Sequence, residues 1–172
     1  MLGFYADSAA PTNRYRRLRV TIPGRSDLTV RCRRGYFDAL ESGNAEEHIR
    51  DAIVSPLDAN AIPLTASMIP AGAGVELRLT IGVEGLALLP EGDRWKGKVR
   101  VVIAQSDDRG AQIAYLDQTM GLNLKQSTRE SIMKSGFHVI RPIAVKPRAS
   151  SIHVVVRDEA GNLGSVILPV RP

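Results

Sequence analysis

A chain of 172 residues with 44% hydrophobic and 24% charged side chains has enough apolar material for one ordinary domain core plus an appendage. No run approaches the roughly 18 consecutive apolar residues that a membrane-crossing helix needs, and the opening MLGFYADSAAPTN is too short and polar for a signal peptide, so export is expected to require a signal upstream on a longer parent. The net charge of +5 is lopsided: the first 36 residues hold eight basic and two acidic side chains, a net +6, while the rest hold 15 and 16, a net −1.

The excess charge sits on strand-like sequence. Leu18, Val20 and Ile22 alternate with Arg17, Arg19 and Thr21; after the turn cluster from Pro23 to Asp27, Leu28, Val30 and Cys32 alternate with Thr29, Arg31 and Arg33. The spacing predicts an antiparallel hairpin with one apolar and one arginine-rich face, with Leu2-Gly-Phe4-Tyr5 as a third short strand. Tyr15, Tyr36 and Phe37 interleave with the arginines, a composition that suits a nucleic-acid or polyanion surface. The same alternation also makes the arginines the wet face of an amphipathic hairpin, and this second reading is preferred. Arg16, Arg17, Arg33 and Arg34 are the candidate contacts to a partner or an anion. Cys32, the only cysteine, excludes an internal disulfide and a cysteine-rich metal site. It reads as a small buried residue on a strand, beside arginines that would lower its thiol pKa if they lay close.

Asp38 to Leu57 reads as a helical connector. Ser42 or Asn44 can cap it, Glu46 and Glu47 suit its first turn, and Ile49, Ala52 and Ile53 form a narrow apolar stripe that Ser55-Pro56 ends. The helix is expected to lie on the following domain rather than to bind a partner.

From Ile62 onward strand patterns dominate. Val75, Leu77, Leu79, Ile81 and Val83 give the cleanest alternation, followed by Val99, Val101 and Ile103, then by two segments, Ile113–Leu116 and Met120–Leu124. Ser127-Thr-Arg-Glu130 is a capping-box pattern opening one helical turn that Gly136 closes. Phe137 to Val145 resumes strand spacing, with Pro142 predicting an edge or a bulge. Ile152, Val154 and Val156 alternate with His153, Val155 and Arg157, and a turn from Asp158 to Asn162 leads to a last strand through Val166, Leu168 and Val170; Arg157 and Asp158 are expected to keep that turn wet. The fold class expected is mainly β: an immunoglobulin-like antiparallel β-sandwich over residues 61–172, an N-terminal β arm over 1–40, and a helical connector over 41–60, with one or two short helices. The Cys…Trp…Cys hallmark of antibody domains is missing.

Three strings carry a resemblance: Leu2-Gly-Phe4-Tyr5, then Tyr15-Arg-Arg-Leu-Arg-Val20, then Val30-Arg-Cys-Arg-Arg-Gly-Tyr-Phe37. The capped turn before Lys134-Ser-Gly136 and the hairpin from Val156 to Val166 extend it over nearly the whole chain. Together they resemble the C-terminal region of bacterial, acidobacterial-type VWFA-related proteins, where it follows a von Willebrand factor type A domain. The type A domain with its Asp-x-Ser-x-Ser metal site is absent from this sequence, and Lys146-Pro-Arg148 stands where the family often has Pro-Gly. The resemblance implies an extracellular or periplasmic location and a contact with an upstream type A domain or another protein partner.

The chemistry-bearing residues are scattered. His48, His138 and His153 have no partner at metal-ligand spacing, although His138 and His153 are expected on adjacent strands. Asp107-Asp108 and Asp158-Glu159 are paired acids at turns, and the second lacks the ligand rhythm of a calcium loop. There is no nucleophile elbow and no phosphate loop. No cofactor, metal or catalytic residue is expected. The leading expectation is a non-enzymatic interaction or adhesion module that binds through loops or an exposed strand edge, with a homodimer through such edges. The alternative is nucleic-acid or polyanion binding by the arginine-rich hairpin.

Overall fold

A computed structural model describes residues 14–17, 35–38, 44–72 and 74–170. The chain divides into two compact units between Asn44 and Ala45. In the first, β1 (Arg14–Arg17) pairs antiparallel with β2 (Gly35–Asp38), Tyr15 opposite Phe37 and Arg16 opposite Tyr36. The expected hairpin strands Leu18–Ile22 and Leu28–Cys32, the strand at Leu2–Tyr5, and Cys32 itself lie outside the described residues.

The second unit is mainly β, with two antiparallel sheets and two helices. In chain order it contains α1 (Ala45–Val54), β3 (Leu64–Ala71), β4 (Gly74–Ile81), β5 (Leu89–Glu91), β6 (Arg94–Ser106), β7 (Gln112–Lys125), α2 (Gln126–Ser135), β8 (Phe137–Ile143), β9 (Ser151–Asp158) and β10 (Leu163–Pro169). The smaller sheet has the order β3-β4-β8. In the larger, β6 is central: β7 lies along one side, β9 and then β10 along the other. β5 lies end to end with β9, since Lys96 faces Leu89 across one side of β6 and Asn123 across the other. Two facing antiparallel sheets in this order are consistent with the immunoglobulin-like expectation.

Alternation builds the core between the sheets. Leu77, Leu79 and Ile81 of β4 and Val139 and Ile143 of β8 meet Val99, Val101 and Ile103 of β6 and Ile152, Val154 and Val156 of β9, all buried in one cluster. Each such aliphatic side chain contributes roughly 1.5–3 kcal/mol on leaving water. A second, smaller core covers the other face of the larger sheet. There Ile49 and Ile53 of α1 pack on Val102 and Ala104 of β6 and Val155 of β9. The connector helix therefore lies on the sandwich as its apolar stripe predicts. β6 and β9 thus carry buried side chains on both faces.

Three expectations are corrected. The segments Ile113–Leu116 and Met120–Leu124 form one 14-residue strand, β7, continuous through the polar Asp117-Gln118-Thr119. Helix α2 starts before its capping box: Lys125 is the N-cap without a side-chain bond, and Gln126 Nε2 donates to Glu130 Oε1 at 2.7 Å. His138 and His153 stand in different sheets, on β8 and β9. Two endings follow the sequence closely. Gly136 caps α2 at φ 76° and donates its N–H to Ile132 O at 2.8 Å, and β8 with its Pro142 is an edge strand.

The closing turn is corrected as well. Asp158 is only 3% exposed. Its carboxylate accepts the Asn162 N–H at 2.9 Å, the Asn162 Nδ2 at 2.8 Å, and the Ala87 N–H at 2.8 Å. A turn carboxylate expected in water is instead an internal fastener.

Candidate functional site: the open edge of β7

A sheet edge exposes unpaired N–H and C=O groups, and chains commonly blunt such edges with proline, bulges or a covering segment. In this unit β3 carries Pro70, β5 carries Pro90, β8 carries Pro142 and β10 carries Pro169. The edge of β10 is also covered by the chain leading into β3. Ser165 N–H donates to Ala59 O at 2.9 Å, Ile62 N–H donates to Leu163 O at 3.0 Å, and Asn60 bridges Gly164. Gly164 is required there, because a Cβ would stand 2.2 Å from Ile62 O.

Among the described residues, β7 has neither a proline nor a covering segment. It pairs with β6 from Gln112 to Lys125 and with no other described strand, and it contains no proline. Its one irregularity is a register shift opposite Gln105/Ser106. Tyr115 and Leu116, 46% and 42% exposed, put large apolar side chains on both faces of this edge.

The two faces differ in chemistry. On the core-facing side, Leu116 stands opposite Ile103 and Gln118 opposite Val101. An open hollow of about 190 Å³ lies there between Leu116 and Ala114 on one sheet and Pro142 and Ile143 on the other. Beside it Arg141 of β8 reaches across, its Nε donating to Gln118 Oε1 at 3.0 Å and its Nη1 to Ile140 O at 3.3 Å. On the outer side, Arg100 Nε donates to Asp117 Oδ1 at 2.9 Å, and its Nη1 and Nη2 bind Glu46 Oε1 at 2.5 Å and Oε2 at 3.1 Å. Those bonds hold the Asp117 and Glu46 carboxyls below their ordinary values and raise the guanidinium. Burial, with the Asp117 charge second, raises the Tyr115 phenol. The cluster ties the first turn of α1 to β6 and β7 and so fixes the edge strand's outer face.

A second concavity, about 480 Å³, lies on the outer face of the smaller sheet. Thr65, Thr80 and His138 form one cross-strand row there, with Thr80 Oγ1 and His138 Nδ1 3.1 Å apart. Ser67, Arg78 and Ile140 form the next, Ile140 being 52% exposed. At the far end of the larger sheet Ser151 Oγ lies 3.1 Å from His153 Nε2.

No family model matches the chain, and no curated protein is significantly similar to it.

Arg16 and Arg17 lie in β1, opposite Tyr36 and Gly35, and Arg33 and Arg34 lie outside the described residues. Among the described residues no group of three or more His, Cys, Asp or Glu is placed to hold a metal ion, and no helix is long and apolar enough to cross a membrane. Sequence reasoning missed the β7 edge, although one signal was present: prolines at 70, 90, 142 and 169, and none between 112 and 125.

Proposed function

We propose that this chain is a non-enzymatic interaction module that takes a partner strand along β7. One observation carries the reading. β7 offers a 14-residue edge without proline, while every other outer strand of the unit carries one. Strand addition supplies main-chain hydrogen bonds for affinity and alternate side-chain sites for selectivity. The resemblance of the strings at Leu2–Tyr5, Tyr15–Val20 and Val30–Phe37 to VWFA-related bacterial proteins is what supports an exported, accessory role, outside the cell or in the periplasm, with an upstream type A domain as one neighbour.

Selection of random-sequence peptides on the intact chain tests it. Successive strand residues point their N–H groups to opposite sides. Of Gln118→Pro and Thr119→Pro, one therefore removes an outward N–H while sparing the β6–β7 ladder, and the variant that keeps the parent melting temperature is the blocked edge. Selected peptides are expected to lose binding to that variant. Equal binding to it, or no selectable peptide, sinks the reading.

A second reading has one observation of its own. The register sets Arg16 opposite Tyr36, and polyanion and single-strand surfaces combine basic with aromatic residue types. It requires salt-sensitive retention on heparin that neutral substitutions at Arg16, Arg17, Arg33 and Arg34 abolish. Salt-independent elution removes it.

A further inference from the structure

We propose that the strand accepted by β7 is recognised by two of its side chains, two positions apart on the core-facing side: an apolar one that fills the hollow beside Leu116 and Pro142, and an acidic one that pairs with Arg141. The inference rests on the β7 reading above and names the partner's chemistry.

Residues directly opposite one another in a sheet share a face, and alternate residues on a strand lie roughly 7 Å apart. A strand added beside β7 therefore places one side chain next to Leu116 and the next-but-one beside Gln118, both toward the sandwich mouth. At the first position the surroundings are mainly apolar; Gln105 also lines them, its amide already bonded to the Ala144 carbonyl and the Lys146 N–H. Leu116, Ala114, Pro142 and Ile143 line an open hollow of about 190 Å³, and Leu116 is left 42% exposed. At the second position stands Arg141. A guanidinium has five N–H donors. Arg141 gives them only neutral acceptors, the Gln118 amide oxygen and the Ile140 carbonyl. The ion pairs among the described residues engage Arg78, Lys96, Lys98 and Arg100, and none engages Arg141. A carboxylate on the incoming strand completes this half-buried cation with charge-assisted bonds.

The same charge argument decides against a second copy of this chain. The core-facing row of β7 reads Leu116, Gln118, Met120, Leu122 and Leu124, which includes no acid. Asp117 lies on the opposite face, held by Arg100. Two β7 strands paired with each other would leave both Arg141 side chains without an anion.

The test sequences the peptides selected on the intact chain and measures their affinity for the parent, for Arg141→Gln and for the edge-blocked proline variant. Enrichment of an apolar residue two positions from Asp or Glu is expected. Binding of such a peptide should weaken roughly tenfold or more on Arg141→Gln, with the glutamine version of the peptide weakened as much and indifferent to the variant. Peptides that need the open edge yet show no such spacing, or bind Arg141→Gln unchanged, overturn this inference and leave the β7 reading standing. Absence of any edge-dependent peptide overturns both. Concentration-dependent dimerisation abolished by the proline variant overturns it in favour of a second copy.

Discussion

The Asp158 carboxylate accepts the N–H of Ala87 at 2.8 Å, fastening the closing turn of the last hairpin to a loop 71 residues earlier. The same carboxylate holds Asn162 through two further bonds, and Gly161, at φ 97°, gives the turn its left-handed step. Removing it strands three donors in a buried place. Asp158→Ala is expected to cost about 3 kcal/mol, and Asp158→Asn, which keeps one acceptor oxygen, clearly less. Urea unfolding measures both. A loss for the alanine variant within the range of ordinary surface changes, about 0.5 kcal/mol, would show that the turn is not fastened this way.

The second core predicts a contrast within one helix. Ile49 is buried against Val102, Ala104 and Val155, whereas Val54 at the helix end is exposed. Ile49→Ala is expected to cost about 2–4 kcal/mol, and Val54→Ala to stay within about 0.5 kcal/mol. Equal effects in denaturant melts would mean that α1 is not docked on the larger sheet.

His153 predicts an acid sensitivity. Burial pushes its imidazole below the ordinary value, against the opposing pull of Asp58 and the Ile53 carbonyl; Ser151 Oγ lies 3.1 Å from Nε2, and the buried Nδ1 has no hydrogen-bond partner among the described residues. The folded chain thus binds this proton less readily than the unfolded one. The site's full stability holds above the ordinary histidine range, and part is lost as pH falls below about 6.5 toward the folded-state value. His153→Gln should flatten the stability profile between about pH 7 and about pH 5. An unchanged slope in that variant would assign the sensitivity elsewhere.

The Arg100 cluster predicts a spectroscopic shift. Asp117 raises the Tyr115 phenol as the second cause after burial. In Asp117→Asn the Tyr115 phenol should ionise at lower pH than in the parent, read from phenolate absorbance with Tyr115→Phe as the assignment control. The depressed carboxyls of Asp117 and Glu46 stabilise the fold above the ordinary carboxylate range, and that contribution fades as pH falls through their folded-state values. No change in the tyrosine titration would separate Asp117 from Tyr115.

Legibility followed locality. β4 and the β9–β10 hairpin were readable because alternation and turn chemistry are written within a few residues. The burial of Val102 and Val155 was not legible, because alternation cannot report that a helix ending at Val54 will cover them; the unbroken run Val101-Val-Ile-Ala104 is the available hint. Asp117-Gln-Thr119 looked like a break because an edge strand tolerates polar residues on both faces. Asp158 looked wet because its third donor comes from a distant loop. The density of arginines drew the functional reading to the N-terminal hairpin, while the proposed site at β7 is marked by what its sequence lacks.

The place of β6 between two cores also bears on how the chain assembles. The β6–β7 and β9–β10 pairs are joined by short turns and close cheaply. The ladder from Val99–Asp158 to Ser106–Ser151 joins these hairpins across α2 and β8, and it must form before either core is complete. The expected kinetic signature is a rate limited by that long-range meeting, with Val102 and Val155 substitutions slowing refolding, whereas Ile49→Ala mainly speeds unfolding. Refolding rates that respond to Ile49 as strongly as to Val155 would place helix docking in the nucleus instead.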